Sequence, residues 1–332
     1  MAITNIGSMI SQQAMLKALR EQLNDVNRQA TTGKKSTTIA GMGPSGASAS
    51  VSLRNKHNLF DSYMANLSTA KARFQVMDQS FLSITEDARD MTSSLRALMQ
   101  TGDTKAEIMS DKAATLLSSV IDKMNVQYNG RYLFSGDAIY DAAFNDRAAL
   151  DANMSAMVTG WMSGTPTAAS VVSDARGVVG TDLGISNEAI NAGGVTMRID
   201  DNLDIDSTVK ANQSGFSDVL RGLSIIANLP EPTTPAEVEN YWAIVNGAIE
   251  LMDAGAKAID TTQGLMGTRA KIVDETFLQH KDMQGTYETF ISDVEDVDMV
   301  DASLKLQDLK RQMEASMSVI VETRGLSLVN YL

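Results

Sequence analysis

The hydrophobic residues of this chain recur mainly at alternating steps of three and four, the spacing that places them along one side of an α-helix. The clearest case covers residues 67–98, where one apolar seam persists for about five heptads. Its members are Leu67, Ala70, Phe74, Met77, Phe81, Ile84, Ala88, Met91, Leu95 and Leu98. Polar residues flank this seam, so we expect a long helix that buries a single face against a partner.

A second long repeat begins after Thr234, where Thr, Pro and Glu occupy the N-cap, N1 and N3 positions of a predicted helix. Residues of one register then recur seven apart: Val238, Val245, Met252, Ile259, Met266, Val273, His280, Tyr287 and Val294. This helix is the predicted partner of the first seam. Gly264 and Gly267 predict a bend or break in it, and the acidic run at residues 293–301 predicts a hinge where the register changes.

Both ends of the chain carry shorter heptad repeats. The N-terminal positions are Met9, Leu16, Leu19, Leu23 and Val26, and the C-terminal ones are Leu306, Leu309, Met313 and Ile320, followed by an apolar end with Leu326 and Leu328. We expect the first helix to pair with the last. We also expect these terminal residues to form interfaces with other chains, because so apolar an end is unfavourable in water.

The remaining segments have weaker patterns. Residues 34–51 are rich in Gly, Ser and Thr, which predicts a linker or spoke. Thr104 and Glu107 fit a capping box at the start of a further helix. Between residues 136 and 236 the clearest signal is the alternation at residues 194–200 and 205–210, which predicts a β-hairpin, and a helix at residues 216–229.

These elements predict a mainly α protein: a long, coiled-coil-like helical bundle formed by the two halves of the chain, with a small β-containing domain inserted in the middle. The expected domains are a terminal helical domain of residues 1–33 and 299–332 and a spoke of residues 34–51. A bundle of residues 52–135 and 237–298 follows, with an inserted β-rich or mixed domain at residues 136–236.

Charge narrows the possible partners. The formal net charge of −13 argues against nucleic acid, whose phosphates require a basic face. Residues 136–236 hold five Lys or Arg against thirteen Asp or Glu, so we expect this domain to face outward into solvent. No stretch approaches the roughly 18 apolar residues of a membrane span, and the start lacks a signal-peptide pattern. We therefore expect no membrane partner and no cleaved signal peptide.

Motifs for chemistry are weak. Residues 41–46 match GxGxxG, but no βαβ pattern surrounds them, which favours a flexible linker over a cofactor site. Asp200, Asn202 and Asp204 imitate the start of a calcium loop that lacks its glycine and its final glutamate. There is no cysteine, His280 lies in the seam register, and no catalytic set stands out. We expect no enzyme activity, no cofactor and no metal.

The two ends of the chain resemble the bacterial flagellin family. The resemblance rests on the opening MAITNIGSMISQQAMLKALREQLNDVNRQATTGKK and on the closing segment that ends in LSLVNYL. The stretch YNGRYLFSG at residues 128–136 resembles the hook-associated members that join hook and filament more than it resembles filament flagellin. About two thirds of the chain carries this similarity, and residues 137–230 contribute little to it.

The resemblance implies a structural protein of the flagellum that is exported through the flagellar type III apparatus and works outside the cell. It implies a ring-like homo-oligomer, with the adjacent hook-associated junction protein, flagellin and an export chaperone as partners. The terminal helices would form an inner layer, and the bundle would surround them. Three alternatives stay open: a filament-forming flagellin, a ligand-binding role for residues 137–230, and an enzyme carried on that segment.

Overall fold

The computed structural model describes the backbone of residues 2–329 and the side chains of residues 10–322. It is 77% helical with two small two-stranded sheets, which confirms the predicted fold class. Its helices are α1 (Ala2–Thr32), α2 (Gly43–Thr101), α3 (Ala106–Met124), α4 (Arg147–Ser163), α5 (Ala168–Gly177), α6 (Asn187–Asn191), α7 (Ser214–Ala227), α8 (Pro235–Glu295) and α9 (Met299–Val329). Its strands are β1 (Gln127–Tyr128), β2 (Arg131–Tyr132), β3 (Thr196–Asp200) and β4 (Leu203–Asp206), and 3₁₀ turns lie at Ile39–Met42 and Gly180–Leu183.

The chain divides into two compact units. The first consists of Met1–Ser62 with His280–Leu332, and the second of Tyr63–Gln279. The long helices α2 and α8 each contribute residues to both units. The four domains expected from the sequence stay a prediction.

In the second unit, α2 packs antiparallel to α8. All ten residues of the α2 seam are buried, and so are Met252, Ile259, Met266 and Val273 of α8. Ion pairs flank the contact, and they join Lys71 to Asp274, Arg89 to Asp260 and Arg96 to Asp253. These pairs are largely exposed and each contributes about 1 kcal/mol or less, so the apolar seam carries most of the stability.

The core of the second unit is centred on three phenylalanine rings. Phe81 of α2, Phe134 after β2 and Phe216 of α7 have ring centroids 5.3 to 6.0 Å apart. All three side chains are at least 98% buried. Residues distant in sequence therefore converge on one point, and the inserted segment belongs to the core of this unit.

Helix α7 approaches α8 closely because glycines line their contact. A Cβ atom on Gly222 would lie 2.4 Å from Cγ of Met252 and 2.9 Å from the carbonyl oxygen of Ala248. A Cβ atom on Gly255 would lie 2.8 Å from the carbonyl oxygen of Gly215. No side chain fits at these positions without moving backbone, so the close packing of α7 on α8 requires both glycines.

The inserted segment is more helical than the sequence predicted, since α4, α5 and α6 precede its hairpin. The predicted hairpin is present. Its second strand, β4, begins at Leu203 and ends at Asp206, so the prediction of a strand at residues 205–210 is wrong. The strand ends there because the Asp206 carboxylate accepts a hydrogen bond from the backbone N–H of Thr208, at 2.8 Å, in an Asx turn.

Two predicted helix starts have different outcomes. At α8 the capping box is confirmed: the Thr234 hydroxyl accepts from the N–H of Glu237 at 3.3 Å, and the Glu237 carboxylate accepts from the N–H of Thr234 at 3.3 Å. At α3 the box is wrong. The carboxylate of Glu231 caps that helix instead, because it accepts from the N–H of Ala106 at 2.9 Å and from the Thr104 hydroxyl.

Two further expectations are corrected. Helix α8 continues through Gly264 and Gly267 without a break, because both glycines face open space while Met266 stays buried beside them.

The spoke of residues 34–51 is shorter than predicted, since α2 begins at Gly43. Pro44 in its first turn is a start signal that the glycine content obscured. The acidic run does interrupt the helices, because α8 ends at Glu295 and α9 begins at Met299, and a hinge at this break stays a prediction.

We expect Phe81→Asp to lower the free energy of unfolding by about 3–5 kcal/mol, because it places an unpaired charge in the phenylalanine cluster. The adjacent Leu82 is 43% exposed, so Leu82→Asp is a matched control that should cost about 1 kcal/mol or less. Urea unfolding followed by circular dichroism measures both. Equal effects of the two substitutions would contradict the assignment of the seam.

Glycine substitutions test the contact between α7 and α8. Gly222→Ala should destabilise the protein by about 1–3 kcal/mol, because the added methyl group overpacks the contact. Gly264→Ala, at an exposed helical position, should instead stabilise it by about 0.4–1 kcal/mol. Thermal unfolding of the two variants beside the parent protein gives the sign of each effect. A stabilising Gly222→Ala would show that the helices are not in close contact there.

Candidate assembly interface

The terminal helices α1 and α9 pair antiparallel to each other in the first unit. The end of α1 lies beside the start of α9, where the N–H of Val297 donates to the carbonyl oxygen of Gly33 at 2.9 Å. The N–H of Lys35 donates to the carbonyl oxygen of Glu295 at 2.8 Å. Each helix has 31 residues, which corresponds to a length of about 46 Å.

The predicted heptad positions lie on the less exposed sides of these two helices. Leu19 is buried, and the half-buried positions are Leu16, Leu23, Val26, Leu306, Leu309, Met313 and Ile320. Because α1 contacts α9, these residues provide their mutual seam. Met9, Leu326 and Leu328 lie outside the residues whose side chains the structure describes. That this seam also meets other chains stays a prediction.

Large apolar side chains are exposed on the outer faces of the first unit. On α1 and α9 they are Ile10, Met15, Met299, Val300, Leu304, Met317, Val319 and Val321, each at least 40% exposed. Ile39, Val51, Met283 and Phe290 add four more in the same unit. We call this set the apolar outer residues.

The first unit also lacks an apolar core within the described part of the chain. Its fully buried apolar side chains there are those of Leu19 and Ala302, whereas the continuous core cluster runs from Leu67 to Val273, entirely within the second unit. A unit that exposes apolar residues and buries so few is marginal alone, because burial of apolar surface is the main stabilising contribution to folding. The arrangement is typical of a surface that other chains cover.

A cluster of charged residues fixes the junction between α8 and α9. The Glu295 carboxylate is 93% buried and accepts two hydrogen bonds from the Arg54 guanidinium, both at 2.7 Å, in a bidentate pair. The Ser50 hydroxyl donates to the same carboxylate at 2.7 Å. The hydrogen bonds from Arg54 are the main reason that the pKa of Glu295 falls from 4.5 to about 2, and they outweigh the opposing effect of burial.

Two lysines complete this junction from the end of α1. The Lys35 ammonium group donates to the carbonyl oxygens of Asp293 and Val294 at 2.6 and 2.9 Å, so it caps the end of α8. The Lys34 ammonium group pairs with Asp296, and this interaction raises the pKa of Lys34. Every contact of the cluster joins residues 34–54 to residues 293–296.

The weaker sequence motifs have structural positions of their own. The GxGxxG stretch lies in a 3₁₀ turn and the first turn of α2, and within the described residues no strand of a βαβ unit precedes it. Asp204, in the hairpin, accepts a hydrogen bond from Arg198 at 3.1 Å. His280 is 96% buried with its ring centroid 5.0 Å from that of Phe60.

The described residues contain no group of three or more His, Cys, Asp or Glu side chains placed to hold a metal ion. Their helices include none whose length and apolar character would suffice to cross a membrane.

The charged junction was missed from the sequence, although a signal for it exists. Residues 1–60 carry an excess of basic side chains, and the run at residues 293–301 is acidic. Opposite charges at two predicted helix ends favour a contact between them. Periodicity alone cannot reveal it, because the paired residues are separated by about 240 positions in the sequence.

The fold is that of a mainly helical protein whose terminal helices pair with each other. Residues 249–332 match the family model of the bacterial flagellin C-terminal helical region. No curated protein sequence matches the chain. The fold is similar to the solved structure of a Vibrio parahaemolyticus protein provisionally described as a flagellar hook-associated protein, with a TM-score of 0.53 and 14% identity over 75% of this chain and 97% of that one.

The family match supports the resemblance to flagellin that the sequence shows, because the C-terminal part of this chain is similar to the flagellin C-terminal helical region. The family match covers the C-terminal part of α8 and all of α9. These two helices meet at the charged junction, and α9 is one of the two paired terminal helices. At 14% identity the structural likeness shows the fold.

Protonation of Glu295 provides a test of the junction. Its folded pKa lies below the unfolded value of 4.5, so its stabilisation is complete above about pH 4.5 and is lost as the pH falls towards 2. Glu295→Gln should therefore have a lower melting temperature than the parent at pH 6, and this gap should narrow by about half at pH 3. Circular dichroism melts at each pH measure the gap.

The control for this experiment is Asp308→Asn, which removes an exposed carboxylate paired with Arg311. Its melting temperature should stay close to that of the parent at every pH, because exposed pairs contribute little. A constant gap for Glu295→Gln from pH 6 to pH 3 would contradict the role assigned to its charge.

Proposed function

We propose that this chain is a structural, non-enzymatic component of the bacterial flagellum that assembles through its terminal helices. The observation that carries the proposal is the imbalance of the first unit, which exposes twelve large apolar side chains among its described residues and buries two. Such a unit gains its main stabilisation by covering those side chains with other chains. The flagellin C-terminal match lies on the same elements and supports the flagellar assignment.

Within that class, we infer that the chain is a junction protein of the hook-associated protein three type, which connects the hook to the flagellin filament. Copies of the chain would form a ring that contacts the adjacent hook-associated junction protein on one side and flagellin on the other. The likeness of the fold to that of a protein provisionally described as hook-associated supports this finer assignment. Secretion would leave the assembled protein outside the cell.

The proposed arrangement assigns the terminal pair, residues 1–33 and 299–332, to the inner layer. Residues 52–135 and 237–298 would surround it, and the acidic residues 136–236 would face outward. An export chaperone would cover the apolar outer residues before assembly, because these side chains would otherwise favour association in the cytoplasm.

A filament-forming flagellin is the second candidate, because the matched family region is that of flagellin itself. A strain that lacks the gene separates the two functions. If the chain is the junction protein, electron microscopy should show hooks without filaments, and flagellin should accumulate in the medium. Loss of the filament protein itself would leave no flagellin to release, and cells that keep normal filaments would exclude the junction role.

Substitution of the apolar outer residues tests assembly directly. Val300 and Leu304 are 70% and 56% exposed and lie one turn apart on α9. The double variant Val300→Ser and Leu304→Ser should fold normally, with a change in unfolding free energy of about 1 kcal/mol or less. Its self-association in sedimentation velocity, and its ability to restore motility to the deletion strain, should both fall.

The matched control replaces Gln307 and Lys310, exposed polar residues of the same helix, with serine. This control should associate and complement as the parent does. If both double variants assemble normally, the outer face of α9 is not an assembly surface.

A further inference from the structure

A cleft of about 430 Å³ opens beside the start of α7, within the second unit. Ala254 and Ala258 of α8 form an apolar side of this cleft. Its polar lining comes from α5 and from the segment that begins α7, and consists of Arg176, Asn212, Ser214, Ser217, Asp218 and Arg221. Sites for small molecules usually have volumes of about 300–1,000 Å³, so the cleft has room for a small ligand.

The cleft carries more positive than negative charge. Asp218 is 96% buried, and its carboxylate accepts hydrogen bonds from Nη2 of Arg176 and from Nη1 of Arg221, both at 2.7 Å. Within the described part of the chain, neither arginine forms an ion pair with any other carboxylate. One carboxylate therefore faces two guanidinium groups, which leaves an excess positive charge in a chain whose net charge is −13.

The shared carboxylate offsets the buried cation only in part. Arg221 is 95% buried, and its Nη2 also donates to the carbonyl oxygen of Val178 at 2.7 Å. Burial lowers the pKa of Arg221, the contact with Asp218 does not reverse this shift, and the positive charge of Arg176 adds to it. Arginine nevertheless stays protonated in proteins, so a further negative charge in the cleft would be favourable.

Two donors of the cleft have no acceptor among the described residues. Ser217 is 95% buried and lines the cleft, yet its hydroxyl group makes no hydrogen bond there. The buried Ser80 of α2, by contrast, donates to the carbonyl oxygen of Val76 at 3.0 Å. The Nε and Nη2 atoms of Arg176 donate to Asp218, whereas its Nη1 makes no hydrogen bond to a described residue. Both donors are therefore available to a ligand.

The start of α7 adds a further attraction for an anion. The first N–H groups of a helix have no acceptor within the helix, and they give its start a partial positive charge. Gln213 occupies the N-cap position of α7, and its side chain makes no capping hydrogen bond. Ser214 and Ser217 of the first turns line the cleft, so the positive end of this 14-residue helix lies at its wall.

We propose that this cleft binds an oxyanion of the phosphate class, with Arg176 and the Ser217 hydroxyl as donors and the start of α7 as its positive wall. Guanidinium and hydroxyl groups donate hydrogen bonds to phosphate oxygens, and helix starts attract the same charge. The ligand is free phosphate or the phosphate group of a small ester. All residues of the cleft belong to the second unit, so binding does not require assembly through the terminal helices.

The first experiment separates the two sources of the phosphate group. The full chain is titrated with inorganic phosphate and, separately, with glycerol 3-phosphate at constant ionic strength, and titration calorimetry gives each affinity. Tighter binding of the ester would place its organic part against Ala254 and Ala258. Equal or tighter binding of inorganic phosphate would identify the free anion as the ligand. If the parent protein binds neither compound, the proposal is wrong.

The second experiment repeats both titrations with variants of the cleft. Arg176→Met should bind about tenfold more weakly, because it removes a charged donor. Ser217→Ala removes one hydroxyl group and keeps both arginines, and it should bind about fivefold more weakly. The control is Arg147→Met, which removes an arginine of the same unit that pairs with Asp151 at 2.7 Å, away from the cleft. This control should bind as the parent does.

Circular dichroism melts in phosphate-free buffer show whether each variant folds. Ser217→Ala keeps the test decisive if Arg176→Met proves unstable, because it leaves the ion pairs of Asp218 in place. Weaker binding by either folded variant of the cleft, with the control unchanged, supports the site. Unchanged binding by the folded variants, or an equal loss of binding in Arg147→Met, would overturn it.

Discussion

The burial of one apolar stripe is the interaction on which the structure depends. Along α2 it runs from Leu67 to Leu98, and its counterpart on α8 runs from Val245 to Val273. Helices α3 and α7 add to the same cluster, and the rings of Phe81, Phe134 and Phe216 join its parts. Burial of apolar area contributes about 25 cal/mol per Å² removed from water. The burial of this stripe therefore stabilises the fold more than the exposed ion pairs beside it do.

The two units of the chain differ in how they are stabilised. Residues 63–279 contain their own core, and the described remainder does not. What holds the described remainder together is the half-buried contact between α1 and α9 and the charged cluster around Glu295. Stability of that kind is local and low, which would suit the assembly role proposed for this region.

Sequence reasoning succeeded where the determining residues are close together or strictly periodic. Thr234 and Glu237 cap α8 from within four positions, and the heptads of α2 and α8 repeat without interruption. It failed at α3, because Glu231, which caps that helix, lies 125 positions away from Ala106. It failed at Gly264 because a tertiary contact, not local propensity, keeps the helix continuous.

The lysine that caps α8 has a consequence for the order of folding. Lys35 bonds to carbonyl groups that lie 258 and 259 positions later in the chain, and Ser50 and Arg54 bond to Glu295 across nearly the same interval. Contacts of such high sequence separation form late, because a long loop must close before any of them is gained. During synthesis, residues 34–54 therefore cannot form these bonds until the last part of the chain has emerged. The charged cluster around Glu295 therefore delays completion of the contact between α1 and α9.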